Sequence, residues 1–221
     1  IGRARAFSPG WLENGSIWLH MEYKYLLELL KNGLYEEYYQ AINDALVPFQ
    51  DPKTYGRSIL ENSSFILSSL NGDSKNHGRG YIARLSGSTA EYINMWSLMA
   101  FGKEPFKFQS GELVYAPEPN LTAELFTAEK RFEKLQLSEK EAVEVEIPAD
   151  SFAYRFLGST LVIYRNPKRA NTFGQNGVSI AEFKLIAQSG EKYQVKGSAV
   201  KGKLAQKIRE GEFKEINIFL D

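Results

Sequence analysis

The chain has 221 residues, with 27 Lys and Arg balanced by 27 Asp and Glu, no Cys and two His. Its length suits one large domain or two small ones, and its net charge of zero gives no chain-wide attraction to phosphate backbones, so we expect no nucleic-acid partner. The lack of Cys excludes disulfides, a thiolate nucleophile and Cys-ligated zinc, and the two His have no HExxH spacing, so we predict no metal and no organic cofactor.

No run of the sequence approaches the roughly 20 apolar residues of a membrane span, so we expect a soluble protein without a membrane partner. Residues 1–7 contain neither an initiator Met nor the basic-then-apolar layout of a signal peptide. This predicts that the chain begins inside a longer polypeptide.

In the first half, apolar residues recur at the period of a helix. The pattern predicts one helix over residues 16–32, closed by Gly33, and a second over residues 34–47. Pro48 stops the second helix because proline cannot donate the next helical hydrogen bond. A shorter helix is predicted over residues 59–70.

Ser88 and Glu91 have the spacing of a capping box, which predicts that a further helix begins at Ser88. A polar, glycine-punctuated loop, residues 71–80, comes before it, and loops of that length are often functional. Residues 1–107 are therefore predicted to be all-helical.

Past residue 107, short segments rich in Val, Ile, Phe and Tyr alternate with turn residues, which is typical of an antiparallel β domain. The predicted strands are residues 112–115, 142–147, 160–164, 179–186, 192–195 and 215–219. The sequence thus predicts a helical region over 1–107 and a β region over 108–221.

The segment from Glu13 to His20 is the first candidate site. It places a carboxylate, the Asn14 amide, Trp18 and an imidazole at a helix entrance. Sugar pockets use this mixture, because carboxylates and amides bind hydroxyl groups while the apolar face of a sugar ring stacks on Trp. The alternative is structural: Asn14 or Ser16 caps the helix and Trp18 belongs to the core.

The second candidate is the segment from Ser86 to Thr89, where hydroxyl groups and a glycine meet a predicted helix start. Such an end is a ready anion site, although a simple helix cap explains the same residues. The carboxylates Glu13, Glu61 and Glu91 could include a glycosidic acid and base, and nothing in their spacing selects a pair.

Taken in order, these blocks resemble a known family. Glu13-Asn14-Gly15 followed by His20, then Asn76-His77-Gly78-Arg79 leading into Leu85-Ser86-Gly87-Ser88, is similar to the C-terminal part of the cellobiose phosphorylase family of inverting glycoside phosphorylases, glycoside hydrolase family 94. The run from Gly111 to Pro119 is similar to the link into that family's terminal β domain. The resemblance implies an α+β fold, with the C-terminal helices of an (α/α)6 barrel in 1–107 followed by an antiparallel β-sandwich in 108–221.

The resemblance also implies phosphorolysis. Inorganic phosphate, as co-substrate, attacks the anomeric carbon of a β-linked disaccharide or oligosaccharide with inversion, and a sugar-1-phosphate and a free sugar are released. His20, Ser86 and Gly87 are implied to bind phosphate, and Glu13 and Asn14 to bind the sugar. The family's general acid lies upstream of this segment, so no catalytic residue is expected in the chain and the chain alone is expected to be inactive. For the full-length enzyme, the resemblance implies a cytoplasmic homodimer.

Two alternatives stay open at this point. In a glycoside hydrolase of the same fold, water replaces phosphate, and Ser86 in place of the family's Thr is a hint toward it. In a non-catalytic carbohydrate-binding module, the β region binds glycan and the helical region only packs.

Overall fold

The computed structural model describes residues 2–83, 88–136 and 142–221. The chain divides into two compact units, Ile1–Leu98 and Met99–Asp221, and the boundary between them falls inside a helix. No helix within these described ranges is long and apolar enough to cross a bilayer.

The first unit combines short helices with a three-stranded antiparallel sheet whose strand order is β1-β2-β3. Its elements in chain order are β1 Ile17–Trp18, α1 Leu19–Lys31, α2 Tyr35–Ala45, α3 Pro52–Tyr55, β2 Ser63–Ile66, β3 Gly80–Ala83 and the start of α4 Ser88–Phe101. Short 3-10 turns cover Gly2–Ala6, Val47–Phe49 and Ser74–Asn76.

Helices α1 and α2 form where the apolar period predicts them. Along α1 the side chains of Tyr23, Leu26 and Leu30 are buried, so one face of the helix packs into the unit. Gly33 follows with a φ of +74°, the left-handed conformation that a helix C-terminus favours. The buried Tyr23 hydroxyl accepts a hydrogen bond from the Val47 backbone N–H at 3.0 Å, which ties α1 to the chain that follows α2.

The helix predicted over residues 59–70 is wrong, because this segment contains strand β2. Phe65, Ile66 and Leu67 are buried in succession, so side chains on both faces of the extended backbone are covered. A continuous apolar run of this length fits a buried strand as well as a helix. Here the segment forms a strand, because β2 pairs with β1 on one side and with β3 on the other.

The second unit is built mainly from strands. In chain order its elements are the end of α4, β4 Phe106–Gln109, β5 Glu112–Tyr115, β6 Arg131–Gln136, β7 Ala142–Ile147, β8 Ser151–Phe156, β9 Thr160–Arg165, β10 Ile180–Ala187, β11 Lys192–Lys196, β12 Val200–Lys201, α5 Gly202–Arg209 and β13 Phe213–Leu220, with a 3-10 turn at Ala123–Leu125. They form sheets of order β11-β10-β13-β9-β8, β12-β5-β4 and β6-β7.

The five-stranded sheet is mixed rather than antiparallel. Strand β13 pairs antiparallel with β10 on one side and parallel with β9 on the other. The parallel pair requires a crossover, and the chain between β9 and β13 supplies β10, β11, β12 and α5.

The expected fold, C-terminal helices of an (α/α)6 barrel followed by an antiparallel β-sandwich, is therefore wrong. Across the described ranges the helices are short, with 14 residues in the longest, and they are mixed with strands in four sheets. Residues 1–107 hold strands as well as helices, and the sheet that includes β13 contains a parallel pair.

The core of the second unit is aromatic. Tyr115, Tyr154 and Tyr164 are buried there, and burial raises the pKa of each phenol well above its usual value. The Tyr164 hydroxyl donates to the Ala100 carbonyl at 2.9 Å, whereas within the described part of the chain the hydroxyls of Tyr115 and Tyr154 have no hydrogen-bond partner.

We expect Gly80→Ala to destabilise the first unit. A Cβ at residue 80 would lie 2.2 Å from the Tyr55 ring and 2.7 Å from Ser63 Oγ. The Tyr55 ring is held in place, because its hydroxyl donates to the Glu61 carbonyl at 2.7 Å and accepts from the Ser63 N–H at 2.8 Å. Overpacking of this kind costs about 1–3 kcal/mol, measurable by denaturant unfolding.

Gly72→Ala is the matched control, because nothing lies within 4 Å of the position that its methyl group would take, and we expect a change within about 0.5 kcal/mol. Equal stability of the Gly80→Ala and Gly72→Ala variants would contradict the close approach of Tyr55.

We expect Glu22→Gln to stabilise the protein at neutral pH. Burial raises the pKa of Glu22, and the Asp44 carboxylate raises it further. A raised carboxyl pKa means that ionised Glu22 costs stability at neutral pH, and that this cost is relieved as the pH falls through the raised pKa. The gain is below about 1 kcal/mol, since solvent screens a partly exposed carboxylate.

Chemical unfolding at a series of pH values from neutral to acid checks this. The stability difference between Glu22→Gln and the unchanged chain should shrink as the pH falls. Asp44→Asn should give part of the same gain, and a difference independent of pH would contradict the assignment to Glu22.

Candidate functional site

A row of aromatic side chains crosses the three-stranded sheet. Trp18 on β1 pairs with Phe65 on β2, and Phe65 pairs with Tyr81 on β3, so the three side chains share one face. Ring centroids are 5.4 Å apart for Trp18 and Phe65 and 5.8 Å apart for Phe65 and Tyr81. We call these three residues the aromatic row. Phe65 is fully buried, whereas Trp18 at the end of the row is 37% exposed.

Trp11 packs on the aromatic row from the preceding loop. Its ring lies edge-on to Phe65 at 5.0 Å and to Tyr81 at 4.5 Å. The loop that carries it includes Leu12 with a φ of +44°, and β3 includes Ile82 with a φ of +56°. A left-handed conformation is uncommon for Leu and rare for a β-branched residue, and strain of this kind is concentrated at functional sites.

His20 lies in the first turn of α1, two residues after Trp18. Its side chain is 42% exposed, and its Nε2 atom is 3.7 Å from Oε1 of Glu91. Glu91 belongs to the first turn of α4, so two residues far apart in sequence meet at the starts of two helices. The distance is longer than a hydrogen bond but allows an ion pair when the imidazole is protonated.

The Glu91 carboxylate is incompletely satisfied. Its side chain is 16% exposed, and among the residues that the structure describes its buried Oε2 atom has no hydrogen-bond partner. A buried carboxylate oxygen without a donor costs stability, and a residue kept in that state is a candidate for function.

The predicted sugar-binding residues Glu13 and Asn14 lie in the loop before β1. The Glu13 carboxylate is 3.7 Å from Arg3, and the Asn14 side-chain amide donates to the Phe7 carbonyl at 2.7 Å. In the described ranges, no hydrogen bond or ion pair joins either residue to His20 or Glu91. The Asn14 amide thus fixes the loop. Glu13 stays a predicted sugar-binding residue, because its half-exposed carboxylate is accessible to a ligand.

The predicted phosphate loop is not described. Ser86 and Gly87 lie outside the described residues, so their predicted role stays a prediction. Helix α4 begins at Ser88, directly after them, and Glu91 lies in its first turn. The structure thus brings His20 next to the start of α4, and among the described residues it shows no hydrogen bond or ion pair of Glu13 or Asn14 with that helix start.

The other candidate polar residues have partners within the first unit. Glu61 pairs with Arg57 at 3.1 Å, and the His77 ring lies 2.7 Å from the Asn71 carbonyl through Nε2. Of the three carboxylates left open by the sequence, Glu91 is the one that faces a histidine. Sequence reasoning missed this contact, because Glu91 also fits a capping box and nothing in the spacing places it against α1.

Within the described ranges, no group of three or more His, Cys, Asp or Glu side chains could hold a metal ion. No protein-family model and no curated protein matches the chain. The chemistry of the site therefore rests on its own residues. An imidazole donates hydrogen bonds to an anion or a hydroxyl, an exposed indole supports a sugar ring, and a helix start favours negative charge.

We expect Glu91→Met to increase stability. Methionine has a similar length and removes the buried oxygen that has no partner, whereas the change loses a modest helix-dipole contribution and the contact with His20. The balance favours the variant by about 1 kcal/mol, measured by denaturant unfolding.

Glu61→Met is the matched control, because Glu61 is 43% exposed and paired with Arg57. Its loss should leave stability unchanged or slightly lower. A Glu91→Met variant that is less stable than Glu61→Met would show that Glu91 stabilises the fold and is not retained at a cost.

Proposed function

We propose that this chain is the C-terminal part of an inverting glycoside phosphorylase, and that His20 and the start of α4 bind inorganic phosphate beside a sugar. The proposed reaction cleaves a β-linked disaccharide or oligosaccharide with phosphate and yields a sugar-1-phosphate and a free sugar. The general acid is supplied by a part of the protein outside this segment.

The contact between His20 and Glu91 carries the proposal. Two residues that are 71 positions apart come within 3.7 Å, and this brings an accessible imidazole to the first turn of α4. The sequence suggests Ser86 and Gly87 as phosphate ligands immediately before that helix. A helix start and a positioned cationic or neutral N–H donor together suit an oxyanion.

The carboxylate of Glu91 has to be reconciled with an anion nearby. An unpaired carboxylate repels phosphate, whereas in this proposal the Glu91 carboxylate is paired with the His20 ring, whose Nε2 lies 3.7 Å away. With Nε2 turned toward Glu91, Nδ1 is the ring nitrogen left for a ligand. Glu91 is therefore a positioning residue in this proposal, and His20 is the residue that contacts phosphate.

The aromatic row supports a sugar beside that site. Trp18 precedes His20 by two residues, is partly exposed and is held against Phe65 by strand pairing. A rigid indole supplies an apolar surface for a pyranose ring at a low entropic cost. The half-exposed Glu13 carboxylate, in the loop before β1, is the proposed acceptor for sugar hydroxyl groups.

We expect inorganic phosphate to bind this chain at His20. His77, the second histidine of the chain, serves as an internal reference for the NMR measurement, because its ring already contacts the Asn71 carbonyl. In imidazole-edited NMR, phosphate at constant ionic strength should shift the His20 signals and leave those of His77 in place. His20→Ala should weaken phosphate binding about tenfold or more, followed at the amides of Thr89 and Ala90, because a charge-assisted contact is worth about 1.5–3 kcal/mol.

His77→Ala is the control and should bind phosphate like the unchanged chain. The reaction itself is tested in the longer polypeptide with β-linked glucosyl disaccharides. Sugar-1-phosphate formed only with phosphate supports phosphorolysis, whereas free sugar without phosphate favours a hydrolase. If phosphate shifts the amides of Thr89 and Ala90 equally in the His20→Ala variant and in the unchanged chain, His20 does not bind phosphate.

A further inference from the structure

A cleft lies in the second unit, between the β4–β5 hairpin and α5. Its volume is about 610 Å³, and Phe108, Glu112, Lys203, Gln206 and Arg209 are among its lining side chains. None of these residues belongs to the proposed phosphate site, which lies in the first unit.

Phe108 is the apolar element of the cleft. Its side chain is 76% exposed, although it is paired across the hairpin with Leu113. The hairpin turns tightly through Ser110 and Gly111, whose φ angles of +49° and +85° suit a two-residue loop. The ring is therefore presented to solvent by a rigid hairpin.

Helix α5 supplies the polar wall. Ala205 and Ile208 are buried and anchor the helix, while Lys203, Gln206 and Arg209 are exposed and line the cleft. These three recur at helical spacing, so they form one stripe. The Gln206 amide donates to Glu210 at 3.0 Å, which orients it and leaves its carbonyl oxygen as an acceptor.

Glu112 faces the beginning of α5. Gly202, with a φ of +60°, starts the helix, and a Cβ there would lie 3.1 Å from Oε2 of Glu112. The missing side chain lets the backbone come close to the carboxylate. Within the described part of the chain, Glu112, Lys203 and Arg209 take part in no ion pair, so their donors and acceptors are available.

The charges of the cleft cancel in number, because its lining includes two cations, Lys203 and Arg209, and two carboxylates, Glu112 and Glu210. A balanced set gives no field that would select an anion or a cation. It does give both donors and acceptors beside an exposed aromatic ring. That combination matches a neutral ligand rich in hydroxyl groups and with an apolar ring face.

We propose that this cleft binds a neutral oligosaccharide, with one pyranose ring stacked on Phe108 and its hydroxyl groups bonded to Glu112, Gln206 and Arg209. The site is separate from the proposed phosphate site and does not depend on it. It would hold a glycan through the second unit whether or not the first unit takes part in phosphorolysis.

The test is a titration of this chain with cellotetraose, laminaritetraose and xylotetraose, followed by backbone amide NMR. At least one of these neutral probes should shift the amides of residues 108–113 and 202–210 at millimolar concentration. Phe108→Ala should weaken that binding about tenfold or more, and Glu112→Gln several-fold.

Phe132→Ala is the matched control, since Phe132 is another exposed phenylalanine, 57% exposed, on strand β6 of the same unit. It should bind like the unchanged chain. Both phenylalanines are exposed, so unchanged unfolding temperatures are expected for both variants. The proposal is overturned if no neutral probe shifts the cleft amides, if Phe108→Ala binds as well as Phe132→Ala, or if only charged tetragalacturonate binds.

Discussion

The pairing of β1 with β2 is the constraint on which the candidate site depends. The two residues of β1 pair through Ile17 with Ile66 and through Trp18 with Phe65, and α1 begins immediately afterwards. This fixes the start of α1, and with it the position of His20. The buried Tyr23 hydroxyl secures the same helix one turn later by donating to the Asn62 side chain at 3.1 Å. On the opposite edge of β2 lies strand β3, so β2 is the central strand of the sheet that fixes the start of α1.

Among the unsatisfied polar atoms of the described residues, the hydroxyls of Tyr115 and Tyr154 and the Glu91 carboxylate oxygen differ in their surroundings. The Tyr115 and Tyr154 rings pack among other aromatic rings, and each phenol is neutral at neutral pH, so each buried hydroxyl costs the desolvation of one neutral group. Glu91 differs because it is a carboxylate and faces the half-exposed His20. The missing hydrogen bonds of the two tyrosines lie inside the core. The missing hydrogen bond of Glu91 lies beside His20, whose side chain is 42% exposed.

The sequence predicted the parts of the fold that a local period reveals and missed those that tertiary pairing decides. Helices α1 and α2 were predictable because their buried residues recur at helical spacing over more than ten residues. Strand β1 has two residues and no detectable period, and β2 lies in an apolar run that also fits a helix. The parallel pairing of β13 with β9 depends on a crossover that no local pattern encodes. For the site, the sequence predicted His20 as a candidate residue but not its contact with Glu91. The helical barrel implied by the family resemblance is not the fold observed.

The zero net charge of the chain bears on how each proposed ligand would be recognised. Without a chain-wide field, an anion gains nothing from long-range attraction and has to be held by local donors at short distance. In the proposed site His20, in the first turn of α1 and 3.7 Å from Glu91 of α4, would be such a donor. The cleft beside Phe108 presents the complementary case, since its balanced charges suit a ligand that has no charge to recognise. The two proposed sites thus differ in the selectivity that their electrostatics would allow: local donors would hold an oxyanion at one, and an exposed ring beside balanced charges would hold a neutral sugar at the other.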